Sequence, residues 1–263
     1  MHKLCLLTAW LCLHTIIFPL NAQYTTLNAH SHNDYQNERP FLLAYTNHFG
    51  SIEADIWIVD GKLYVAHDST EIRHDKTLET MYILPVVNAF RQNRGKAWAD
   101  REGGFQLLID LKSETYSTLS ALLNMIKQYR GVFDPGMNKN AVRIVITGNV
   151  PSPGEYIKYP RYISFDGDIS TRYDRKQLKK IALFSENFKK FTHWNGIGIF
   201  PEDEQIRLKQ TVDSIHRIQK KIRFWDAPDN PESWEMLMKL GVDYINTDRI
   251  VELSGYLNRR KNP

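Results

Sequence analysis

Two segments of the sequence carry charged side chains at a spacing of two residues. Glu53 and Asp55 lie in "SIEADIWI" (51–58), and Asp110 and Lys112 lie in "LLIDLK" (107–112). Side chains two apart in a β-strand point to the same side. Three carboxylates at one place suit a hard cation, and Lys112 brings a positive charge there, at least as a salt-bridge partner. The acids therefore predict a site for one divalent cation, Ca²⁺ or Mg²⁺.

Histidines occur in two further segments with polar neighbours. "NAHSHNDY" (28–35) contains His30 and His32, followed by Asn33. His67 ends the segment "VDGKLYVAHD" (59–68), where the alternation of Leu63 and Val65 fixes its direction. From the residues alone, the histidines of the first segment are metal ligands, acid–base groups or polar residues that end a strand.

These residues must be positioned by strands that alternate with helices. Stretches such as 119–126 and 208–218 have apolar residues at helical spacing, and the second follows "PEDE" (201–204), which favours a helix N-terminus. Eight β-rich runs with helical stretches between them predict an α/β fold, a (β/α)8 TIM barrel. The runs are 25–29, 51–58, 105–111, 142–147, 162–165, 196–200, 221–225 and 242–246.

The predicted barrel also indicates where the active site should lie. In such barrels the C-terminal ends of the strands form the active site. The apolar face of the second run, including Ile52, Ala54 and Ile56, should contact the helices, so that Glu53 and Asp55 point inward. An open doubly wound sheet is the alternative, but it would most often have a glycine-rich phosphate loop after its first strand, and the sequence has none there.

Domain organisation is predicted to be simple. Asp60-Gly61 indicates a tight turn, so a β-hairpin excursion should follow the second strand. Residues 1–22 resemble a signal peptide, with Lys3, an apolar run and Ala22 before the expected cleavage. An uncleaved membrane anchor is the alternative. The prediction is a signal peptide at 1–22 and one domain at 23–263, exported to the periplasm or the extracellular space.

Composition excludes several classes of function. Cys5 and Cys12 are the two cysteines of the chain, so a mature protein beginning at Gln23 has no disulfide or thiol chemistry. Loss of Lys3 leaves 33 basic and 30 acidic side chains, too small an excess to indicate nucleic acid binding. No second apolar stretch is long enough to span a bilayer. The sequence does not predict an oligomeric state.

A family resemblance connects these segments. "AH" (29–30), the block 51–68, "LLIDLK" (107–112), "ISFD" (163–166), "IRFW" (222–225) and "LGVDYINTD" (240–248) resemble, in order, the motifs of the glycerophosphodiester phosphodiesterase family, which is grouped with the phosphatidylinositol-specific phospholipase C-like barrels. The resemblance implies that His30 and His67 are the acid–base pair. It implies that Glu53, Asp55 and Asp110 hold the cation and that Lys112 contacts the phosphate. Trp225 matches the tryptophan of the seventh strand.

One departure from the family pattern lies beside the first histidine. The family commonly has "HRG" there, whereas this chain has His30-Ser31-His32-Asn33, so the phosphate-binding arginine is missing. "HSHNDY" resembles a divergent branch that includes fungal proteins named for altered mitochondrial inheritance. His32 and Asn33 are therefore predicted, with Lys112 and Trp225, to contact substrate. An alternative alignment exchanges the roles of His30 and His32.

The predicted reaction is hydrolysis of a phosphodiester, either a small molecule or a phospholipid-derived diester. Such a reaction needs charge neutralised on the phosphate, one proton removed and one delivered. The cation and Lys112 would supply the first and two histidines the others. Activity should follow a bell-shaped pH curve with limbs near histidine's ordinary pKa of about 6.5.

Two other functions are compatible with parts of the sequence. An amidohydrolase-like metal site would use His30 and His32, but it would usually draw more histidines from the fifth and sixth strands, and those runs contain none. A non-catalytic secreted binding barrel would be expected to have damaged site positions. All five of the residues implied to bind the cation or transfer protons are chemically competent.

Overall fold

Eight parallel strands curl into a nearly closed barrel in the computed structural model, which describes residues 23–101 and 103–261. The predicted signal peptide lies outside the described residues. The barrel strands are β1 (Ala29–Ser31), β2 (Ser51–Val59), β4 (Gln106–Leu111), β5 (Arg143–Gly148), β6 (Ile163–Gly167), β7 (Ile181–Asn187), β8 (Lys221–Trp225) and β9 (Ile245–Thr247). This architecture confirms the predicted (β/α)8 barrel.

The strand order shows how the barrel closes. Hydrogen-bonded neighbours run β8-β7-β6-β5-β4-β2-β1-β9, and a parallel bridge between Arg223 and Tyr244 brings the two ends together. The β-hairpin is also confirmed, because β3 (Lys62–Val65) pairs antiparallel with β2. Asp60 and Gly61 both have positive φ, as the tight turn between these strands requires.

Helices fill the connections between strands. They are α1 (Leu42–Thr46), α2 (Leu84–Gln92), α3 (Thr115–Lys127), α4 (Arg130–Phe133), α5 (Arg175–Leu178), α6 (Glu202–Arg217), α7 (Pro231–Leu240) and α8 (Ile250–Lys261). The predicted apolar stripes pack into the core through Leu119, Leu122 and Ile126 of α3. Within the described ranges, no helix is both long and apolar enough to cross a bilayer.

Two predicted strands are wrong in position. Residues 196–200 do not form the sixth barrel strand; β7 at Ile181–Asn187 does. Gly196 and Gly198 both have positive φ, and Ile197 and Ile199 are 74% and 95% exposed, so this segment is a surface loop. The first run is also displaced, because Thr26–Asn28 forms a 3-10 turn before β1.

Strand alternation separates two environments. Ile52, Ala54 and Ile56 of β2 are fully buried in the main core between strands and helices. A second, smaller apolar cluster is formed by Leu108, Val145, Leu183 and Tyr244. Leu108 and Val145 are paired across β4 and β5, and the next pair on the same face is Asp110 and Thr147. The inner face of the barrel is therefore apolar at one level and polar nearer the C-terminal strand ends.

Candidate active site

A cavity of about 750 Å³ lies at the C-terminal ends of the barrel strands. Its lining includes the predicted acids and Lys112, together with polar side chains from β5 to β9. This is the end of the barrel at which such folds form their active sites. The predicted and observed positions of the site therefore agree.

Three acids meet inside the cavity. One carboxylate oxygen from each of Glu53, Asp55 and Asp110 lies within 4.8 Å of the others. Asp55 and Asp110 are direct partners in the register of β2 and β4, and Glu53 precedes Asp55 on the same face. The prediction that these side chains point inward is confirmed. Burial and the charges of Glu53 and Asp110 raise the pKa of Asp55 to about 6.

Lys112 engages one oxygen of each aspartate. Its Nζ lies 3.1 Å from Asp55 Oδ2 and 2.7 Å from Asp110 Oδ2. The Oδ1 atoms of both aspartates are buried and have no hydrogen-bond partner among the described residues. A buried carboxylate oxygen without a partner is costly, and a divalent cation would satisfy both. The three acids therefore fit a hard cation such as Ca²⁺ or Mg²⁺.

Gly148 at the end of β5 makes room for this arrangement. It has φ of +75°, and a Cβ added there would lie 1.9 Å from Asp110 Oδ1. Any side chain at this position would therefore displace Asp110 or the backbone. The conformation and the space both favour glycine beside the acid cluster.

His67 reaches the cavity from the loop after the hairpin. Its Nδ1 is 3.4 Å from Asp55 Oδ2 and 3.1 Å from the hydroxyl oxygen of Tyr35. Tyr35 lies at hydrogen-bond distance from Asp55 Oδ2, at 2.9 Å, and from Asn33 Oδ1, also at 2.9 Å. The His67 side chain is 49% exposed, so it is accessible to a molecule in the cavity.

His30 has a different environment, because its ring is fully buried and does not line the cavity. Its Nδ1 is 2.7 Å from Ser51 Oγ and its Nε2 is 2.7 Å from Glu53 Oε2. The same Nε2 also lies 2.5 Å from Arg223 Nη1, and Gln106 donates to Ser51 Oγ at 3.1 Å. Burial and the nearby Arg223 guanidinium lower the pKa of His30 to about 3.

His32 lines the cavity and pairs with Asp248. The Nδ1 atom of His32 is 2.8 Å from Asp248 Oδ1, and the Asn33 amide also approaches that carboxylate, at 3.4 Å. Burial opposes the charged imidazole, but the hydrogen bond to Asp248 and the charge of Glu53 raise the pKa of His32 above its ordinary value. Of the two neighbouring histidines, His32 is the accessible one.

Arg223 is a functional candidate that is not among the predicted site residues. It is 4% exposed, lines the cavity, and donates from Nη1 to Glu53 Oε2 at 2.7 Å. Although burial opposes ionisation, this guanidinium and the bond from His30 hold the pKa of Glu53 below its usual range. The sequence feature that could have identified Arg223 is its spacing of two residues from Trp225, which places both side chains on one face of β8.

Predicted substrate contacts also meet in this cavity. Asn33, His32, Lys112 and Trp225 all line it, and Trp225 is 39% exposed. Tyr35, Asp166 and Arg223 are further polar residues at the site that were not predicted as functional. The only sequence signal for Asp166 is its position at the end of "ISFD", and the only one for Tyr35 is its position at the end of "HSHNDY".

Comparison with protein families gives two matches along the chain. The AIM6-like phosphodiesterase domain matches residues 19–166, which is more than half of the chain. The glycerophosphoryl diester phosphodiesterase family matches residues 221–249, which include β8 and β9. The acid cluster and the histidines His30, His32 and His67 lie in the first match, and Arg223 lies in the second.

Curated relatives resemble most of the chain. Altered inheritance of mitochondria protein 6 from Eremothecium gossypii is 27% identical, covering 86% of this chain and 68% of that protein. The protein of the same name from Saccharomyces cerevisiae S288c is 25% identical, covering 92% of this chain and 73% of that protein.

A solved structure is similar in fold. The crystal structure of a glycerophosphodiester phosphodiesterase from Parabacteroides distasonis superposes with a TM-score of 0.59 and 15% identity. The similarity covers 89% of this chain and 98% of that chain. At this identity the match shows a shared barrel architecture.

Proposed function

Because the chain belongs to the AIM6-like phosphodiesterase family, we propose that it is a metal-dependent phosphoric diester hydrolase. The observation that carries the proposal is the cavity in which Glu53, Asp55 and Asp110 converge. Two of their carboxylate oxygens have no hydrogen-bond partner among residues 23–101 and 103–261. Lys112 and accessible histidines border the same space. This set of groups matches the requirements of phosphodiester cleavage and does not match a histidine-rich amidohydrolase centre.

Charge neutralisation and positioning are the first requirements of the reaction. A divalent cation held by Glu53, Asp55 and Asp110 would neutralise negative charge on the phosphate oxygens. Lys112 is 27% exposed and faces the cavity, so its ammonium can contact a phosphate oxygen while it holds the two aspartates. The charges of Asp110 and Asp55 outweigh burial and raise the pKa of Lys112, which keeps the ammonium charged at physiological pH.

Proton transfer is the second requirement, and His67 is one group that can perform it. Its exposed ring lies beside Asp55 and Tyr35 at the cavity edge. The family resemblance gives the second role to His30, whereas side-chain position favours His32. Only His32 of these two lines the cavity, and its raised pKa suits a group that delivers a proton to the leaving alcohol.

Separate alanine variants of the two histidines test this assignment. If His32 transfers the proton, His32→Ala should lower kcat for an alkyl phosphodiester by about 10²–10⁴-fold, the usual size of general acid–base catalysis. The loss should be much smaller for a p-nitrophenyl diester, whose leaving group needs no proton. His30→Ala should instead weaken cation binding, because His30 contacts Glu53. A leaving-group-dependent loss in His30→Ala, with none in His32→Ala, would assign the role to His30.

The activity itself is tested with an activated phosphodiester in the presence of Ca²⁺ or Mg²⁺. Glu53→Ala and His67→Ala should each lose at least about 10²-fold in kcat/KM. His193→Ala is the matched control, since His193 is exposed and does not line this cavity. Wild-type rates in Glu53→Ala and His67→Ala would contradict the proposed function, and cation binding without turnover would favour a binding barrel.

We also propose that the protein is exported and that its substrate is a small or phospholipid-derived phosphodiester. Residues 1–22 have the pattern of a cleavable signal, which motivates the first part. Fractionation of expressing cells, followed by intact mass measurement, should find a mature chain beginning at Gln23 outside the cytoplasm. A cytoplasmic chain that keeps residues 1–22 would contradict export.

A further inference from the structure

The turn that follows β1 fixes the position of the Tyr35 side chain. Asn33 has a positive φ of 46°, a conformation that asparagine tolerates, and the chain turns sharply there. The buried Asp34 carboxylate holds this turn, because it accepts hydrogen bonds from Ser31 Oγ at 2.8 Å and from Tyr82 Oη at 2.9 Å. Tyr35 itself is 7% exposed. Its hydroxyl is therefore held at one place, beside the acid cluster.

Three polar atoms surround the hydroxyl oxygen of Tyr35. Asp55 Oδ2 and Asn33 Oδ1 each lie 2.9 Å away, and His67 Nδ1 lies 3.1 Å away. An ionised carboxylate and an amide oxygen can only accept hydrogen bonds, and a phenol has one hydrogen to donate. The tyrosine hydrogen therefore goes to one of these two oxygens. The hydroxyl oxygen is left to accept a hydrogen from the third partner.

This arrangement determines which nitrogen of the neutral His67 ring carries the hydrogen. A hydrogen on Nδ1 can be donated to the Tyr35 oxygen, and Asp55 Oδ2 is a second acceptor for it, at 3.4 Å. With the hydrogen on Nε2, Tyr35 would have to donate to Nδ1. Both neighbouring oxygens would then face lone pairs of the phenol at 2.9 Å with no hydrogen between them. The contacts therefore favour the tautomer with the hydrogen on Nδ1.

A histidine with its hydrogen on Nδ1 has its lone pair on Nε2. The contacts of His67 with Tyr35 and Asp55 are both made through Nδ1, and the ring is 49% exposed and lines the cavity. Nε2 is thus the nitrogen available to a molecule in the cavity. In this form it can accept a proton from an attacking water, which is the function of a general base.

We infer that Tyr35 is a positioning residue, which holds the hydrogen of His67 on Nδ1 and so leaves the Nε2 lone pair for the attacking water. The inference rests on the proposed hydrolase function and assigns a direction to its proton transfers. An O–H bond of the water breaks as an N–H bond forms at Nε2, and the water oxygen bonds to phosphorus. The bond from phosphorus to the leaving alcohol breaks, and that alcohol takes its proton from His32.

Nitrogen NMR of isotope-labelled histidine rings tests the tautomer in the protein with Ca²⁺ or Mg²⁺ present. At a pH well above histidine's ordinary pKa of about 6.5, wild-type His67 should have a protonated Nδ1 and an unprotonated Nε2. Comparison with His67→Ala identifies its signals. Tyr35→Phe keeps the aromatic ring and removes the acceptor, so the fraction with the hydrogen on Nε2 should rise. A wild-type ring with its hydrogen on Nε2 would overturn the inference.

Kinetics of Tyr35→Phe test the assigned direction. The variant should lose about 10–100-fold in kcat, the usual effect of removing a group that orients a functional histidine. Because His67 acts on the attacking water, the loss should be similar for an alkyl and a p-nitrophenyl phosphodiester. The loss expected for His32→Ala, in contrast, depends on the leaving group. An unchanged kcat in Tyr35→Phe, or a loss confined to the alkyl diester, would contradict the inference.

Tyr64→Phe is the matched control, because Tyr64 Oη lies 3.2 Å from His74 Nδ1 and neither residue lines this cavity. This variant also removes one tyrosine hydroxyl beside one histidine. It should keep the wild-type kcat and the wild-type signals of His67.

Calorimetry of Ca²⁺ or Mg²⁺ binding separates positioning of His67 from an effect on the acid cluster. Tyr35 also contacts Asp55, but Lys112 still holds that carboxylate in Tyr35→Phe, so cation affinity should change little. Lower cation affinity with an unchanged His67 tautomer would mean that Tyr35 acts through Asp55, and the inference would be wrong.

The NMR measurement does not depend on turnover, so it separates this inference from the proposed function. If neither diester is cleaved, the hydrolase function is contradicted. A hydrogen on His67 Nδ1 that depends on Tyr35 would still support the positioning of the ring.

Discussion

Each of Asp55 and Asp110 gives one carboxylate oxygen to Lys112, and the other has no hydrogen-bond partner in the part of the chain that the structure describes. One oxygen of each aspartate therefore fixes the position of the side chain, and the other is available to bind a cation. Lys112 holds the two aspartates in place from neighbouring strands. Keeping these oxygens unsatisfied reduces the stability of the metal-free protein, which is a common property of functional sites.

Asp55→Asn should therefore stabilise the metal-free protein at neutral pH. The pKa of Asp55 is raised to about 6 in the folded protein from an ordinary value of 3.8, so ionised Asp55 disfavours folding. The destabilisation caused by ionised Asp55 is absent below about pH 4, grows as the pH rises to about 6 and persists at higher pH. Relative to wild type, the variant should gain of order 2 kcal/mol at pH 7 and little at pH 4.

Chemical unfolding in urea at both pH values measures this difference. Asp75→Asn is the control, because Asp75 is exposed and pairs with Arg73 outside the cavity. It should show no comparable gain. A destabilised Asp55→Asn at pH 7 would mean that the contacts of Asp55 with Lys112 and Tyr35 outweigh its burial.

The acids of the proposed cation site and their neighbour Lys112 could be predicted from the sequence, but Arg223 could not. The spacing of two fixes the direction of Glu53, Asp55 and Asp110 within their strands. Arg223 comes from a strand far along the chain, and its contact with Glu53 depends on barrel closure. Local spacing also cannot distinguish buried His30 from accessible His32, because that difference arises from packing of other strands around them.

At the scale of elements, strand ends and short turns determine the shape of the cavity. Most barrel strands were predictable because runs rich in Val, Ile and Phe are bounded by turn residues. The segment "GIGIF" has the same apolar alternation, yet two glycines with positive φ make it a loop. The true strand, "IALFSEN", has a shorter apolar run because it ends in polar residues, of which Ser185 and Glu186 line the cavity.

Gly148→Ala should damage the acid cluster more than the fold. The new Cβ would approach Asp110 Oδ1, and alanine disfavours φ of +75° by about 1–2 kcal/mol. We expect a modest loss of stability in urea and a loss of cation-dependent stabilisation and activity of at least about 10-fold. Gly154→Ala is the control, since a Cβ there meets nothing within 4 Å. Unchanged cation binding in Gly148→Ala would show that Asp110 can move without consequence.

At the scale of the molecule, the three proposed cation ligands come from two barrel strands, so binding of a cation should stabilise the whole domain. The architecture was predictable because eight strand and helix units specify a closed barrel even when two of the strands are placed wrongly. Which side chains meet inside the barrel depends on strand register and on how the first and last strands of the sheet come together. Register and closure are properties of the complete fold, so local sequence patterns do not predict them.

Ca²⁺ or Mg²⁺ should raise the melting temperature of the protein, and more at pH 7.5 than at pH 5. Protons compete with the cation below about pH 6, where Asp55 is protonated in the folded protein. At a cation concentration 100 times Kd the gain in unfolding free energy is about 2.7 kcal/mol. Thermal scans of wild type and Glu53→Gln measure it, and an equal shift in both proteins at both pH values would indicate binding elsewhere.

The small apolar cluster of Leu108, Val145, Leu183 and Tyr244 closes the barrel interior beneath the polar level. Among the described residues this cluster blocks passage through the barrel, so a molecule that enters from the strand ends would leave by the same route. Under the proposed function, the two products of diester cleavage would share that exit. The product that retains the phosphate would compete directly with incoming substrate, so turnover should slow as this product accumulates. The order in which the two products are released would then depend on the apolar cluster that closes the barrel interior.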